Sequence, residues 1–356
     1  MIRSRSTAAI LCVAGLASAT LGQQRLMITD SGAGDRVMLF DPQDGSVVDL
    51  DWITDIGAVG WSFTTPKEAM VVGNEIWVSD QVVDIIARFD FNRAFLGTIT
   101  AHPGGGVLDN IRGMGTDGTN VYVTLMHGTA ALRGVCVYTT AGAPVAFLPG
   151  SGSYFDAERF GTDLLVSNST SNNIERWSTA GTFLGNFATG VVFPQQVVIH
   201  TDGSVISVSS IANPGIEGVY HHNADGSLRR FIDTEGLKTQ FGEHVPRGSV
   251  VLGDGHYLIA ASTGVYKYFV DTGIFTRIVA SVDAQYITRI TLGASCYANC
   301  DNSTTPPVLN VNDFTCFLNQ FAAGDSRANC DQSTTPPVLN VNDFTCFLNA
   351  FAAGCP

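Results

Sequence analysis

The stretch "IWVSDQVVDIIARFDFNRAFLGTI", from Ile76 to Ile99, contains three short strand patterns separated by polar turns. An apolar run ends in Ser79-Asp80, and an alternating run through Arg88-Phe89-Asp90 follows after a loop. A turn then leads into a last apolar run. Alternation of apolar and polar residues over so few positions is typical of half-buried β-strands and not of helices.

The same pattern recurs six times between Arg25 and Leu292. Its copies begin at Leu26, Ile76, Val121, Leu164, Val205 and Tyr257. A further strand precedes most copies, often after a proline such as Pro66, Pro194 or Pro246. Four short strands repeated about every 45 residues are typical of a β-propeller. We therefore predict an all-β fold in which residues 25–292 form a six-bladed propeller. The lone strand pattern at Tyr286–Thr291 is expected to complete the first blade and close the ring.

Composition and charge agree with an all-β protein and exclude some partners. The chain has 356 residues, of which 38 are glycine and only 14% are charged. The formal net charge of −13 argues against nucleic acid and against an anionic membrane surface, because both attract basic patches. No later run is long and apolar enough to span a bilayer, so no transmembrane segment is predicted.

The first 22 residues have the pattern of a secretory signal peptide. Arg3 and Arg5 precede an apolar stretch from Ala8 to Leu16, which is too short to cross a membrane. Small residues follow, and cleavage after Ala19 or Gly22 fits the pattern. We expect a secreted or cell-surface protein of bacterial origin.

The propeller repeats also carry a family resemblance. The segment "ITDSGAGDRVMLFD" from Ile28 resembles the repeats of NHL and lactonase-like propellers. Lactonase-like propellers hold a catalytic metal with Glu, Asn and Asp inside the channel. The resemblance implies that Asp30, Asp80 and Asn168 could imitate that set, but no glutamate begins an equivalent strand. Glu68 and Glu158, on the segments between blades, are the nearest candidates.

One position follows the first apolar strand of each copy and is polar in five of the six. Its occupants are Asp30, Asp80, Leu125, Asn168, Ser210 and Ser262. Such a ring could form a ligand or metal site at the mouth of the channel. The alternative is that these side chains cap loop backbone and join neighbouring blades, which is the commoner use of such residues.

Other candidate residues of the propeller have plain structural interpretations. His221-His222 lie beside the turn "NADGS" and are expected to be solvated loop residues, and Cys136 is expected to be a small buried apolar residue. The sequence shows no catalytic motif such as GxSxG or HExxH. A binding protein is therefore favoured over an enzyme.

The C-terminal sixty residues contain a second, closer repeat. "NCDNSTTPPVLNVNDFTCFLNQFAAG" runs from Asn299 to Gly324 and returns almost unchanged from Asn329 to Gly354. Each copy predicts a short helix that begins at an N-cap (Asn312 or Asn342) and ends at the final glycine. Phe314, Phe317, Leu318 and Phe321 share one predicted apolar face, so two such helices can cover each other.

Six cysteines lie in this region. Because the chain is expected to be exported, we predict that they form disulfides and not a zinc site. Six cysteines allow fifteen pairings. The symmetric hypothesis joins Cys300 to Cys316 and Cys330 to Cys346, while Cys296 and Cys355 clasp the ends.

The doubled loop and helix resembles a dockerin module, and in particular the cysteine-containing "GC-type" dockerin-like tail. That resemblance implies a small α-helical, disulfide-stapled module over residues 296–356, with repeats 299–324 and 329–354. It implies calcium ligands in each loop at Asn299, Asp301, Ser303, Val308, Asn310 and Asp313, and at Asn329, Asp331, Ser333, Val338, Asn340 and Asp343. It also implies a protein partner contacted at Val311-Asn312 and Val341-Asn342.

Two functions follow as hypotheses. The first is a secreted, non-enzymatic binding or scaffold propeller, anchored by its tail to a cohesin-like or cell-surface partner, with a small molecule or glycan as a further ligand. The second is an extracellular enzyme of the lactonase, lyase or carbohydrate-active kind, delivered to a complex, such as one for polysaccharide catabolism, by the same tail. The tail could instead serve only as a stability cap.

Overall fold

The computed structural model describes residues 23–292 apart from 33, 212 and 243, and residues 298–354 apart from 302, 304–306, 332, 334 and 335. The predicted signal peptide and the cysteines Cys296 and Cys355 lie outside these ranges. The chain divides into two compact units, one formed by Gln24–Ile290 and one that contains the C-terminal helices.

The first unit consists of six four-stranded antiparallel sheets. Blade 1 contains β1 (Gln23–Asp30), β2 (Arg36–Phe40) and β3 (Val47–Thr54), and blade 2 contains β4 (Pro66–Val72), β5 (Glu75–Asp80), β6 (Ile85–Asp90) and β7 (Phe95–Ile99). Blade 3 contains β8 (Ile111–Thr116), β9 (Asn120–Leu125), β10 (Gly134–Thr139) and β11 (Pro144–Pro149). Blade 4 contains β12 (Tyr154–Phe160), β13 (Asp163–Asn168), β14 (Asn173–Ser178) and β15 (Phe183–Thr189).

Blade 5 contains β16 (Pro194–Ile199), β17 (Val205–Ser209), β18 (Gly218–His222) and β19 (Leu228–Asp233), and a short helix α1 (Glu235–Phe241) follows it. Blade 6 contains β20 (Pro246–Val251), β21 (Tyr257–Ala261), β22 (Gly264–Phe269) and β23 (Ile274–Ala280). The last strand, β24 (Ala284–Leu292), pairs with β1 and completes blade 1. The fold is a six-bladed β-propeller, as predicted.

The closing strand β24 brings together the two ends of the propeller, which are far apart in the sequence. The N–H of Ser31 donates to the carbonyl of Asp283 at 3.0 Å, and the N–H of Asp283 donates to Oδ1 of Asp30 at 3.0 Å. The pairing covers the edge of β1 that would otherwise be exposed, which stabilises the ring. Hydrophobic clusters fill the spaces between blades, with Trp77, Tyr122 and Tyr266 almost wholly buried.

The second unit contains two helices, α2 (Val311–Ala322) and α3 (Val341–Ala353). Their N-caps are Asn310 and Asn340, so the predicted caps Asn312 and Asn342 were wrong by two residues. Each cap forms a reciprocal capping box, because the aspartate at the third helical position accepts from the backbone N–H of the cap. Among the residues that the structure describes, no helix is long and apolar enough to cross a membrane.

Phenylalanines from the two helices form the shared core of this unit. Phe317 and Phe347 stack with their ring centroids 4.3 Å apart, and Phe314 lies 5.8 Å from Phe344 in an edge-on arrangement. The predicted apolar face is correct for the phenylalanines but wrong for Leu318, which is 40% exposed. Leucine at this position turns away from the partner helix and towards solvent.

A disulfide fastens each loop to the helix that follows it. Cys300 is bonded to Cys316, and Cys330 is bonded to Cys346, each across a separation of 16 residues. These two predicted pairs are confirmed. The expected pair of Cys296 with Cys355 lies outside the described residues. Cys136 is buried and free, as expected.

Candidate functional site

The inner strands of the six blades line the central channel, and each places its third residue at one level. Two of these residues are acidic, one is a glutamine, one is a tyrosine, and two are glycines. They are Glu68, Gly113, Asp156, Gln196, Gly248 and Tyr286. Apart from the glycines, their side chains are almost completely buried.

Glycine on blade 3 allows acidic residues of blades 2 and 4 to meet. A Cβ at Gly113 would lie 2.4 Å from Oδ1 of Asp156, and a Cβ at Gly115 would lie 2.1 Å from the carbonyl oxygen of Ala157. These distances are far below van der Waals contact, so any larger residue would push the strands apart. The glycines therefore fix the close approach of β8 to β12.

Three carboxyl groups converge across this gap. Glu68 on β4 and Asp156 and Glu158 on β12 each offer an oxygen, and these oxygens all lie within 4.8 Å of one another. Asp156 accepts from the N–H groups of Ala157 at 2.9 Å and Val197 at 2.8 Å. Glu68 accepts from the N–H of Met114 through Oε2, while its Oε1 is buried and has no hydrogen-bond partner.

Burial makes these carboxyl groups hard to ionise. It raises the pKa of Asp156 to about 7. Burial, and then the charges of Asp156 and Glu158, raise the pKa of Glu68 well above its ordinary value. Burial and Asp156 do the same for Glu158. Three such groups either hold protons between them or bind a cation that compensates their charge.

Glu158 connects this cluster to an open cavity. A depression of about 260 Å³ is lined by Glu158, Thr116, Gln196, Thr288 and Arg289, among others. These residues lie towards the carboxyl-terminal ends of the inner strands, whereas the predicted mouth ring lies at the opposite ends. The cavity gives solvent a path to one of the three carboxyl groups, which is only partly buried.

The residues predicted at the mouth hold loop backbone. Asp80 accepts from the N–H groups of Thr64 and Thr65 at 2.7 and 2.9 Å, and also from those of Val82 and Val83. Every oxygen of this carboxylate is therefore occupied by the loops on either side of β5.

The other mouth residues behave in the same way. Asp30 accepts from the N–H of Gly32 at 2.9 Å, and Asn168 from that of Thr170 at 2.9 Å. Ser210 and Ser262 follow the ends of β17 and β21 by one residue, so they are not in register with Asp30. The Ser210 hydroxyl donates to the carbonyl of Pro246 on the next blade, and Ser262 accepts from the N–H of Val245 at 2.9 Å.

Two histidines expected in solvent are buried. His221 and His222 lie on β18 with 6% and 4% of their surface exposed. His221 contacts the hydroxyls of Tyr257 at 2.6 Å and Ser204 at 2.9 Å. Burial lowers its pKa to about 4, so the ring is neutral at neutral pH. The alternation of β18 brings both residues into packed layers because neighbouring blades cover both faces of the sheet.

The sequence identified Glu68 and Glu158 as the nearest acidic candidates but missed Asp156. All three lie on inner strands and not on connecting segments. The signal that could have found Asp156 is its place as third residue of the fourth inner strand, equivalent to Glu68 of the second.

The loops before the tail helices bond mainly to themselves. Asp301 accepts from the N–H of Ser303 at 2.9 Å, and the Ser303 hydroxyl donates to the carbonyl of Val308 at 3.0 Å. Asp313 accepts from the N–H groups of Asp301 and Asn310. Only Oδ1 of Asn299, among these expected calcium ligands, is buried without a hydrogen-bond partner.

The second loop repeats this arrangement with Asn329, Asp331, Ser333, Val338, Asn340 and Asp343. Oδ1 of Asn329 is again buried and without a partner. In each loop, the asparagine at the first expected ligand position therefore has a buried side-chain oxygen that accepts no hydrogen bond.

The expected partner-contacting residues are on the surface. Val311 and Val341 are 73% and 71% exposed, and Asn312 and Asn342 beside them are exposed too. Because the helices are related by the repeat, the module presents the same Val-Asn pair twice.

Comparison with known proteins shows similarity in fold only. No protein-family model matches the chain, and no curated protein does. A solved protein of unknown function from Bacteroides caccae is 11% identical with a TM-score of 0.52, over 75% of this chain and 99% of that one. A chain of a nidogen–laminin complex is 12% identical with a TM-score of 0.52, over 75% of this chain and 98% of its own. Streptogramin B lyase is 13% identical with a TM-score of 0.45, over 72% and 83%.

Proposed function

We propose that the protein is an exported binding propeller that its C-terminal module attaches to a cohesin-like or cell-surface protein. Disulfides form and persist in oxidising compartments, and each half of the module carries one. The observation that carries the proposal is the pair of exposed valines, Val311 and Val341, at equivalent helix entrances.

Exposed valine beside an exposed asparagine gives a partner both apolar area and a hydrogen-bonding group. Burying a valine side chain contributes about 1.5 kcal/mol or more to association. The phenylalanine core and the two disulfides hold these residues on rigid helices, so little order is lost on binding. Two identical entrances allow the same partner surface to bind in either of two orientations.

Removal of the module tests this function. A chain that ends at Leu292 keeps every strand of the propeller. In the producing bacterium, we expect the full-length protein in the washed cell-surface fraction and the shortened protein in the medium, as measured by immunoblot. Equal surface retention of both proteins would contradict the proposal. Circular dichroism of the shortened protein checks that the propeller still folds.

We also propose that calcium binds each loop of the module. The buried, unpartnered Oδ1 atoms of Asn299 and Asn329 support it, since oxygen atoms are the ligands that calcium prefers. Asn299→Leu together with Asn329→Leu should remove any calcium-dependent rise in the melting temperature of the module. A rise that persists in this variant would contradict the proposed ligands.

A second candidate function is that of an extracellular propeller enzyme with a divalent cation in its channel. The convergence of Glu68, Asp156 and Glu158 favours it, because oxygens within 4.8 Å of one another can surround one ion. Such an ion would act as a Lewis acid. The unpartnered Oε1 of Glu68 is the atom that most needs this compensation.

Cation binding can be measured without knowing a substrate. Titration calorimetry of the shortened chain with Mn²⁺ should show one site, and Glu68→Gln should weaken it by at least about ten-fold because a charged ligand is lost. Asp271→Asn, on an exposed turn, is the matched control and should change nothing. Equal affinity of the Glu68→Gln variant and the wild type would exclude this site.

A further inference from the structure

A layer of basic side chains lies beside the carboxyl groups, one residue nearer the mouth. It is formed by the second residue of each inner strand, and we call these six residues the basic layer. They are Lys67, Arg112, Phe155, Gln195, Arg247 and Gln285. Three are basic, three are neutral, and none is a carboxylate. Burial, and then the charges of Arg247 and Arg112, lower the pKa of Lys67 well below its ordinary value.

Lys67 is the most deeply buried cation of the layer, with 1% of its surface exposed. Its Nζ donates to Oε1 of Gln285 at 2.6 Å and to Oε1 of Gln195 at 3.3 Å. It also lies 4.8 Å from the centroid of the Tyr286 ring. Within the part of the chain that the structure describes, no carboxylate oxygen forms an ion pair with this ammonium group.

The two arginines are also poorly compensated. The Arg112 guanidinium stacks 3.6 Å from the centroid of the Phe155 ring and donates to Oγ of Ser153 at 2.9 Å. Arg247 approaches one carboxylate, that of Asp283, with Nε and Oδ1 3.5 Å apart. Three cations therefore share a single nearby acidic side chain at this level.

Hydrogen-bond donors are left over in the layer. Nε of Arg112 and Nε2 of Gln195 are buried without a hydrogen-bond acceptor. Nε of Arg247 lies 3.5 Å from Oδ1 of Asp283, and neither of these two atoms forms a hydrogen bond. Gln195 has none of its surface exposed, and its other amide atom contacts Lys67. A buried donor without an acceptor is costly, so the layer lacks an accepting group beside Arg112 and Gln195.

The neighbouring carboxyl groups do not supply it. Asp156 accepts from the backbone N–H groups of Ala157 and Val197, and Glu68 accepts from that of Met114. Among the residues that the structure describes, the only carboxylate that forms an ion pair with the layer is that of Asp283. The layer therefore has room for an anion of its own.

We propose that the basic layer binds a carboxylate group of a small anionic ligand, which enters from the mouth. Guanidinium and amide groups donate in pairs to the two oxygens of a carboxylate, and a carboxylate beside Lys67 favours the charged form of its amine. Arg247 provides access, because 24% of its side-chain surface is exposed. This inference is independent of the partner that the C-terminal module binds.

Acetate is the simplest probe, and full-length protein is used throughout. At constant ionic strength, acetate should raise the melting temperature saturably above that in chloride, with a dissociation constant of about 1–50 mM. Arg247→Gln should weaken this binding by about ten-fold, because a charged donor is lost. Arg230→Gln removes an exposed arginine of β19 and should leave the binding unchanged.

Gln195→Glu tests the same layer by adding a negative charge to it, whereas Arg247→Gln removes a positive one. It places a carboxylate beside Lys67, so it should raise the melting temperature in chloride and abolish the response to acetate. A layer filled by water alone would give no saturable response in the wild type, which would overturn the proposal. So would a Gln195→Glu protein that is less stable than the wild type and still binds acetate.

Discussion

At the scale of single residues, the channel is shaped as much by glycine as by charged groups. The carboxyl groups of Glu68 and Asp156 come from blades 2 and 4 and meet because Gly113 on blade 3 has no side chain. Gly248 on blade 6 has the same role opposite, where a Cβ would lie 2.4 Å from Oε1 of Gln196. That side chain bonds the backbone of Ile287 through both amide atoms.

Gly113→Ala should therefore destabilise the propeller by about 1–3 kcal/mol, because the added methyl group collides with Asp156. Urea unfolding of the full chain measures the change. Gly128→Ala is the control, since its nearest neighbour is a movable carboxylate oxygen of Asp109 at 3.2 Å. A Gly113→Ala protein as stable as this control would show that the strands tolerate greater separation.

The raised pKa values give the cation-free protein a pH dependence. Folded Asp156 keeps its proton up to about pH 7, whereas an unfolded aspartate loses it near its ordinary value of 3.8. The folded state then binds more protons than the unfolded state across that window, so stability falls as pH rises through it. Glu68, whose pKa is also raised, adds to the fall.

Glu68→Gln should flatten this dependence, because a neutral amide replaces a group that is costly to ionise. The measurement is urea unfolding in EDTA at pH 5 and pH 8, and the variant should lose less stability than the wild type between them. Asp271→Asn should retain the wild-type slope. Parallel losses in wild type and Glu68→Gln would show that this carboxyl group does not control the effect.

Sequence reasoning found only part of the channel site, for a physical reason. Local alternation shows that Asp156 lies on a strand, but the distance to Glu68 depends on two blades that pack across a third. The polar ring of Asp30, Asp80 and Asn168 was easier to see, since it follows the repeat, and its side chains bond loop backbone.

At the scale of elements, the tail helices show what a cap requires. Asn310 and Asn312 are both good N-caps by residue type, so composition does not choose between them. Asp313 decides, because it stands three residues after Asn310 and accepts from its N–H at 2.8 Å. The capping box therefore starts the helix two residues earlier than the predicted cap.

Loss of one disulfide should unfold one half of the module. Cys316→Ser opens a loop of 16 residues, which costs about 3 kcal/mol in the chain-entropy account. We expect rapid proteolysis within residues 298–324, detected by mass spectrometry of the full chain. Asn319→Ser, at an exposed position of the same helix, should resist cleavage as the wild type does. If the Cys316→Ser variant resisted cleavage equally well, helix packing alone would be sufficient to keep residues 298–324 folded.

At the scale of the whole molecule, the repeat period was enough to predict six blades and the closing strand. The strands of each blade follow local patterns of alternation and turns. Because blade 1 has no strand before β1, ring closure requires Ala284–Leu292 to supply its fourth strand. The proposed functions are less visible in the sequence, because they rest on which side chains converge in the channel and on which residues are exposed at the two helix entrances.

The most direct test of the proposed docking compares single and double variants of the exposed valines. Val311→Asp and Val341→Asp should each keep the full-length protein on the cell surface, because the other entrance remains intact. The double variant should release it into the medium, with its helices still folded by circular dichroism. Surface retention of the double variant, or release by either single variant, would contradict two equivalent docking faces.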